Sequence, residues 1–453
     1  MKYSHVIIGA GPTGLGAAHR LLELGIRDFV VLERNGHAGG LAASFKDSAG
    51  FTWDVGGHVV FSRYEYFNSL LDELLGEDRL EHQRIARVRM AKTWVPYPFQ
   101  NNIRHLPKEL AWECVQGLLR ERPSELATFR DWIDYVFGPG IARLFMLPYN
   151  FKVWATPPEL MQYSWIGERV SVVDLEGVLK NLILGLDDAG WGPNNTFRFP
   201  LHGGTGDIFN RLADRVRDHL RFDASVVRID PGQRVVELAD GQRVEWDNLL
   251  NTGPLDLLVR DWIRPQSSAL HAAAGELEHN SVFVSGVGVE GLREDPTCWM
   301  YFPEADCPFY RVTNFHNYSP NNVARPGRQM GFMSEVSSSR HKPENLAGMQ
   351  DSVINGLKAT SLMHGSDAVV STWEMNVDYG YPVPTLGRDR ALATIQPWLE
   401  ERGIFSRGRF GGWKYEVANM DHSVMQGVEW AERMVLGQEE RTYGSRLVVT
   451  TEI

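Results

Sequence analysis

A glycine-rich turn between a strand and a helix constrains this chain more than any other feature. His5-Val6-Ile7-Ile8 is a short apolar run, and Gly9-Ala10-Gly11-Pro12-Thr13-Gly14 after it fits G-x-G-x-x-G. Leu15, Ala18, Leu21 and Leu22 then recur at helical spacing as far as Gly25, a helix stop. Phe29-Val30-Val31-Leu32 reads as a second strand and ends at Glu33. Each part has a physical reason. Gly9 permits a tight turn, Gly11 admits a pyrophosphate to the backbone, and Gly14 lets helix and strand pack closely. The helix N-terminus offers N–H groups and a positive dipole to phosphates. Glu33, about 20 residues on, can accept from ribose hydroxyls. The segment predicts a dinucleotide site.

A second match, Gly286-Val287-Gly288-Val289-Glu290-Gly291, tests how much the context matters. It follows the strand-like Ser281-Val282-Phe283-Val284, but Leu292-Arg293-Glu294-Asp295-Pro296 opens no helix. It reads as a strand and a turn, with no second dinucleotide fold. After Glu33 comes Arg34-Asn35-Gly36-His37-Ala38-Gly39-Gly40-Leu41. A Gly-Gly pair here resembles flavoproteins of the glutathione reductase and amine oxidase type, which makes FAD the expected cofactor.

The chain has 453 residues, enough for two or three domains at about 150 residues each. Its formal net charge of −11 argues against a general nucleic-acid binder, which needs basic surface. An acidic total can still hide a local basic pocket for an anionic ligand. The three cysteines, Cys114, Cys298 and Cys307, show no metal-ligand spacing. No metal is expected, and the thiols fit a reducing compartment. No apolar run reaches about 18 residues, so no membrane span is expected. The start runs straight into a strand pattern without a basic leader, so a cytosolic (cytoplasmic) location is expected.

Helical periodicity marks 65–80 and 108–147, and 206–220 and 422–436 read as further helices. An aromatic, Pro-rich loop runs from Trp94 to Asn102. Residues 225–250 alternate like strands with a turn at Asp240-Gly241, and 280–335 and 368–375 are strand-rich. Exposed loops are expected at 318–328 and 338–346. The predicted fold is α/β. A Rossmann-like FAD-binding domain (1–85, 201–265 and 400–453) interleaves with a mainly helical substrate domain (86–200) and a mostly antiparallel sheet domain (266–399).

Segments spread along nearly the whole chain carry a more specific resemblance. They include Asp54 to Phe61, Trp94 to Asn102, Pro148 to Trp154, Gly167-Glu168-Arg169-Val170 and Trp191 to Pro200. Trp299 to Pro303, Cys307 to Arg311, Gly380-Tyr381-Pro382 and Arg407 to Ser423 complete the set. Together with the glycine motif these segments resemble the UDP-galactopyranose mutases, most closely the eukaryotic type. The resemblance implies a mutase that interconverts UDP-galactopyranose and UDP-galactofuranose on reduced FAD, through a covalent flavin N5–sugar iminium, with NADPH or another reductant activating the flavin.

The resemblance also implies site residues. His58, Arg169, Arg311 and Arg409 are the catalytic set. Phe61 shapes the substrate pocket beside the His58 loop, Tyr97, Phe99, Gln100, Asn150 and Trp154 match the uridine side, and Asn194 and Trp299 the sugar side. Arg169 and Arg311 match a diphosphate clamp that Tyr301, Tyr381 and Tyr415 complete. The cofactor set comprises Gly9, Gly11, Pro12, Thr13, Gly14, Glu33, Arg34, Gly39, Gly40, Leu41, Gly56, Gly57, His58 and Val226. Arg409, Asn419, Asp421 and Ser423 complete it, the last three at a helix start.

Departures limit what carries over. The loop after Tyr318 and the C-terminal end are short for the eukaryotic type, so a homo-oligomer stays open. Asn195 and Asn314 replace less polar residues and leave a deoxyhexose or pentose nucleotide as an alternative substrate. An FAD-dependent oxidase of the amine-oxidase type is the other alternative, opposed by the two arginines and the uridine segment.

Overall fold

The computed structural model describes residues 1–120, 125–190, 192, 195–265 and 267–444. Its nucleotide-binding part is a seven-stranded sheet of order 226–230, 235–238, 243–251, 2–8, 29–32 and 220–221. Strand 404–406 pairs in parallel with the end of strand 243–251. Strand Lys2–Ile8 is parallel to both Phe29–Leu32 and Arg243–Asn251. Central parallel strands are buried on both faces, which is why Val6, Ile7, Val30 and Val31 form unbroken apolar runs.

Helix Pro12–Glu23 covers one face of this sheet together with helix Met420–Leu436. The two helices touch almost backbone to backbone at glycines. A Cβ on Gly16 would strike the Val424 carbonyl, and one on Gly427 would strike the Thr13 carbonyl and stand 2.7 Å from the Ala17 nitrogen. Small residues thus let a helix near the end of the chain dock on one near its beginning.

The second sheet has seven strands of order 369–382, 279–290, 329–338, 311–314, 299–301, 86–90 and 93–96. All neighbours are antiparallel except 299–301 against 86–90. Gly286 and Gly288 sit inside strand His279–Glu290, where any Cβ would meet the rings of Trp53 and Phe51. The second G-x-G-x-x-G is therefore a strand with room made for two aromatics, followed by a turn at Gly291.

The helical region runs from Lys108 to Leu184 around a core that includes Phe99, Trp132, Phe137 and Trp165. Among the described residues no helix is long and apolar enough to cross a membrane. All three cysteines are buried and free.

Several expectations shift. The helix expected over 65–80 stops at Leu75, because Gly76 ends it at φ +53°, and Arg79–Gln83 forms a strand with Thr196–Pro200. Strands 86–90 and 93–96 belong to the antiparallel sheet and not to the helical region, so the Trp94 loop begins as a strand. Helices Ser268–Gly275 and Arg388–Glu400, expected in the sheet domain, pack on the nucleotide-binding sheet. The loop expected at 318–328 is exposed only at Pro320 and over its last five residues. Tyr318 lies among Phe197, Phe199 and Phe315, and the Ser319 hydroxyl donates to the Leu201 carbonyl at 2.6 Å.

Candidate functional site

A cleft of about 1540 Å³ runs from the glycine turn to the antiparallel sheet. Its floor at one end is the Gly9–Thr13 turn, where Gly9 takes φ +100° as only glycine does readily. Gly40 crosses this turn so closely that a Cβ would lie 3.3 Å from Gly11 Cα. Two helix N-termini point at the same space, through Gly11, Pro12 and Thr13 on one side and Asn419, Asp421 and Ser423 on the other. Helix N-termini, with their positive dipoles, suit phosphate oxygens. Glu33 is 5% exposed; its carboxylate accepts from the Ala10 and Asn35 nitrogens at 2.8 and 2.9 Å and lines the cleft beside Arg34, Leu41 and Val226.

The other end is built around arginines. Arg311 and Glu335 are direct cross-strand neighbours. The guanidinium of Arg311 donates to both carboxylate oxygens at 2.8 Å. Glu335 also accepts from the Gly57 nitrogen at 2.9 Å and the Tyr310 hydroxyl at 2.5 Å. Burial alone would lift its pKa. The Arg311 charge and these donors outweigh burial and hold the carboxyl below its ordinary range. Arg169 lies 4.7 Å over the Tyr415 ring and donates to the Glu416 carbonyl and to Asn419 Oδ1. Arg409 lies 5.0 Å over the Tyr381 ring and donates to the Ala418 carbonyl at 3.1 Å. Burial holds the Tyr301 and Tyr381 phenols above their usual range, so both remain hydrogen-bond donors.

His58 lies between these two ends. Burial, then the neighbouring Arg409, push its pKa down to about 4, so the ring is neutral at physiological pH. Its Nδ1 and the Nε of Arg409 are buried without a partner. Orphaned polar atoms on a cleft wall are what a polar ligand would satisfy. With the crossing glycines and the two helix ends, the residues fit an FAD group.

The lowered His58 pKa has a consequence for stability. A group whose folded pKa lies below its unfolded value near 6.5 contributes fully above 6.5, and that contribution is lost as pH falls through about 4. His58→Gln is therefore expected to flatten the loss of stability between pH 6.5 and 4, as read by urea unfolding of holoenzyme at pH 7 and 4.5.

Not every expected residue reaches the cleft. Gly14 and Gly39 support it from behind: a Cβ on Gly14 would strike the Gly9 carbonyl, and the Gly39 nitrogen donates to the Ala10 carbonyl. Phe99 is fully buried and stacks on Phe145 at 4.8 Å. The Gln100 amide donates to the Ser171 carbonyl, and Asn150 donates to the Met146 carbonyl one turn back in its own helix. Trp154 packs edge-on against Tyr415 at 4.8 Å, and Trp299 Nε1 donates to the Tyr301 hydroxyl at 2.5 Å. Trp154 and Trp299 back the wall that includes Tyr415 and Tyr301, and none of the five lines the cleft. Residue type alone does not say which side of a wall an aromatic takes. Asn194 lies outside the described residues. The Asn314 amide is held by the Thr297 carbonyl, away from the cleft. Phe61 and Gly56 do line it.

Among the cleft-wall residues not singled out from sequence, two charged ones touch the arginine end. One is Glu335, whose signal is a single charged residue in the buried strand Gln329–Ser338. The other is Arg84, which lies 5.4 Å over the Tyr97 ring and 5.9 Å over Trp299.

Comparison with known proteins places the chain. Residues 12–292 match the family of flavin containing amine oxidoreductases. Among solved structures, a crystal structure of reduced UDP-galactopyranose mutase is 42% identical and superposes with a TM-score of 0.95. The match covers 98% of this chain and 97% of that one. Putrescine oxidase bound to putrescine shares the fold at 17% identity and a TM-score of 0.66, over 96% of this chain and 99% of that one. Among curated sequences, the 15-cis-phytoene desaturase of Glycine max is 38% identical over 171 residues, 37% of this chain. The chain spans only 29% of that enzyme's length, and 48% of the Arabidopsis thaliana counterpart's. By the breadth of these matches, the chain belongs to the flavin containing amine oxidoreductases and, among them, to the UDP-galactopyranose mutases.

Proposed function

We propose that this protein is a flavin-dependent isomerase that interconverts UDP-galactopyranose and UDP-galactofuranose in the cytoplasm. The observation that carries this reading is a single cleft that joins the glycine turn and two helix N-termini to Arg169, Arg311, Arg409 and His58. A site for a dinucleotide cofactor thereby opens directly onto a set of cations suited to a second anionic ligand.

Gly9, Gly11, Thr13, Glu33, Asn419 and Ser423 would hold the FAD. In its reduced form the bound flavin supplies an electron-rich nitrogen nucleophile. The protein's own residues do the rest. Arg169 and Arg311 bind the diphosphate and hold the charge that develops as UDP leaves, with Tyr301, Tyr381 and Tyr415 donating to the same oxygens. Arg409 places a cation where it favours an anionic reduced cofactor. Neutral His58 offers a hydrogen bond without adding charge. A solvated pocket would disperse these interactions, so the aromatic wall behind them matters for their strength. NADPH, docking transiently in the sugar-nucleotide part of the cleft, is the proposed reductant, and UDP-sugar the proposed partner.

Dithionite-reduced holoenzyme is expected to convert UDP-galactofuranose to UDP-galactopyranose, followed by chromatography, and oxidised holoenzyme is expected not to. Absence of pyranose product under reduction would refute the reading. Substrate-dependent oxygen uptake would point instead to an oxidase. Rapid bleaching of the flavin by NADPH supports that reductant, and slow bleaching assigns the task to a separate reductase.

A further inference from the structure

The two arginines that stand over Tyr415 have something else in common. Both take their acceptors from one short stretch, residues 416–419. Arg169 donates through Nη2 to the Glu416 carbonyl at 2.8 Å and through Nη1 to Asn419 Oδ1 at 3.2 Å. Arg409 donates to the Ala418 carbonyl at 3.1 Å. The position of this stretch therefore sets the position of both guanidiniums.

The stretch is itself pinned by a residue outside the cleft. Arg388 donates through both terminal nitrogens to the two carboxylate oxygens of Glu416, each at 2.8 Å. The two side chains are only 2% and 9% exposed. Two features make this pair hard to explain as a stabilising device. A buried ion pair recovers little more than its desolvation cost, so an apolar pair of similar volume would serve stability as well. Arg388 is also the first residue of helix Arg388–Glu400, where the helix dipole disfavours a cation. The neighbouring Asp389 accepts from Arg388 Nε at 2.9 Å and offsets that penalty locally, but it does not account for the two-point contact with Glu416. What the pair does supply is a planar two-point fork, which fixes orientation as well as distance.

We propose that Arg388 and Glu416 are positioning residues. Their ion pair fixes the 416–419 stretch and, through its carbonyls, sets where Arg169 and Arg409 stand relative to each other. The role in turnover rests on the mutase reading of the cleft; the role toward the cofactor does not.

The test uses FAD-loaded protein carrying Arg388→Lys, Arg388→Gln or Glu416→Gln. Arg388→Lys keeps the charge and loses the fork, so it guards against variants that fail to fold. Three quantities are read: melting temperature, flavin midpoint potential with visible spectrum, and kcat/KM with UDP-galactopyranose under dithionite. Arg388→Lys is expected to melt within a few degrees of the unsubstituted protein. Its flavin potential is expected to shift to more negative values as Arg409 moves off, and its kcat/KM to fall at least tenfold. An Arg388→Lys protein with unchanged potential and unchanged kcat/KM overturns the proposal. So does a loss in any variant that merely tracks the folded fraction. A shifted potential in a protein whose unsubstituted form shows no mutase turnover would keep the positioning role and discard the mutase reading.

Discussion

Arg311→Ala is expected to lower kcat/KM for UDP-galactopyranose by about 10²- to 10³-fold, the usual loss when one preorganised donor to developing charge is removed. It is also expected to destabilise the fold by about 3–5 kcal/mol, because it strands a charge in the interior. The charge is Glu335, 2% exposed and paired with Arg311 across two strands. Its remaining donors, the Gly57 nitrogen and the Tyr310 hydroxyl, are neutral. The two losses can be separated. Adding Glu335→Gln to Arg311→Ala removes the stranded charge, so part of the stability is expected to return while turnover does not. Urea unfolding of the single and double variants, beside steady-state kinetics under dithionite, checks both. If stability and turnover recover together, Arg311 acts through the fold and not on the leaving group.

Gly427→Ala is expected to cost the protein more than half of its flavin. The new methyl would meet the Thr13 carbonyl and lie 2.7 Å from the Ala17 nitrogen, and both are backbone atoms that cannot swing aside. The helix Met420–Leu436 must then move off the helix Pro12–Glu23, at a cost of about 1–3 kcal/mol or more. That helix brings Asn419, Asp421 and Ser423 to the cleft opposite Gly9–Thr13, so its displacement opens the phosphate end of the site. The flavin-to-protein absorbance ratio is expected to fall to less than half, with excess FAD restoring only part of it. Gly275→Ala is the control. That glycine ends a helix with nothing within 4 Å of its missing Cβ, and the substitution is expected to leave flavin content and melting temperature unchanged.

What could be read in advance follows from how local the cause is. The segment from His5 to Glu33 combines a change of hydrophobic period, a glycine turn and an acid, all within one supersecondary unit, and it folds as read. The arginines at 169, 311 and 409 were legible as cations, but their acceptors were not. Glu335 reaches Arg311 through strand register, and the 416–419 carbonyls reach Arg169 and Arg409 through tertiary packing. Phe99 and Trp154 show the same limit from the other side. Their chemistry suits a ligand wall or a core equally, and only the packing of Phe145 and Tyr415 against them decides it. The helix expected over 65–80 ends at Leu75; apolar period alone does not weigh the positive φ that Gly76 adopts.

The docking of the last helix on the first has a consequence for how the protein is made. A ribosome delivers residues 9–14 well before residues 419–427, and segments begin folding as they emerge. Until Gly427 reaches Thr13, the phosphate-binding end of the cleft has only one of its two helix termini. The nascent chain therefore cannot retain its flavin, however well its first sixty residues fold. Cofactor capture must wait for the 419–427 segment, and free FAD should speed the late phase of refolding while leaving the early phase unchanged.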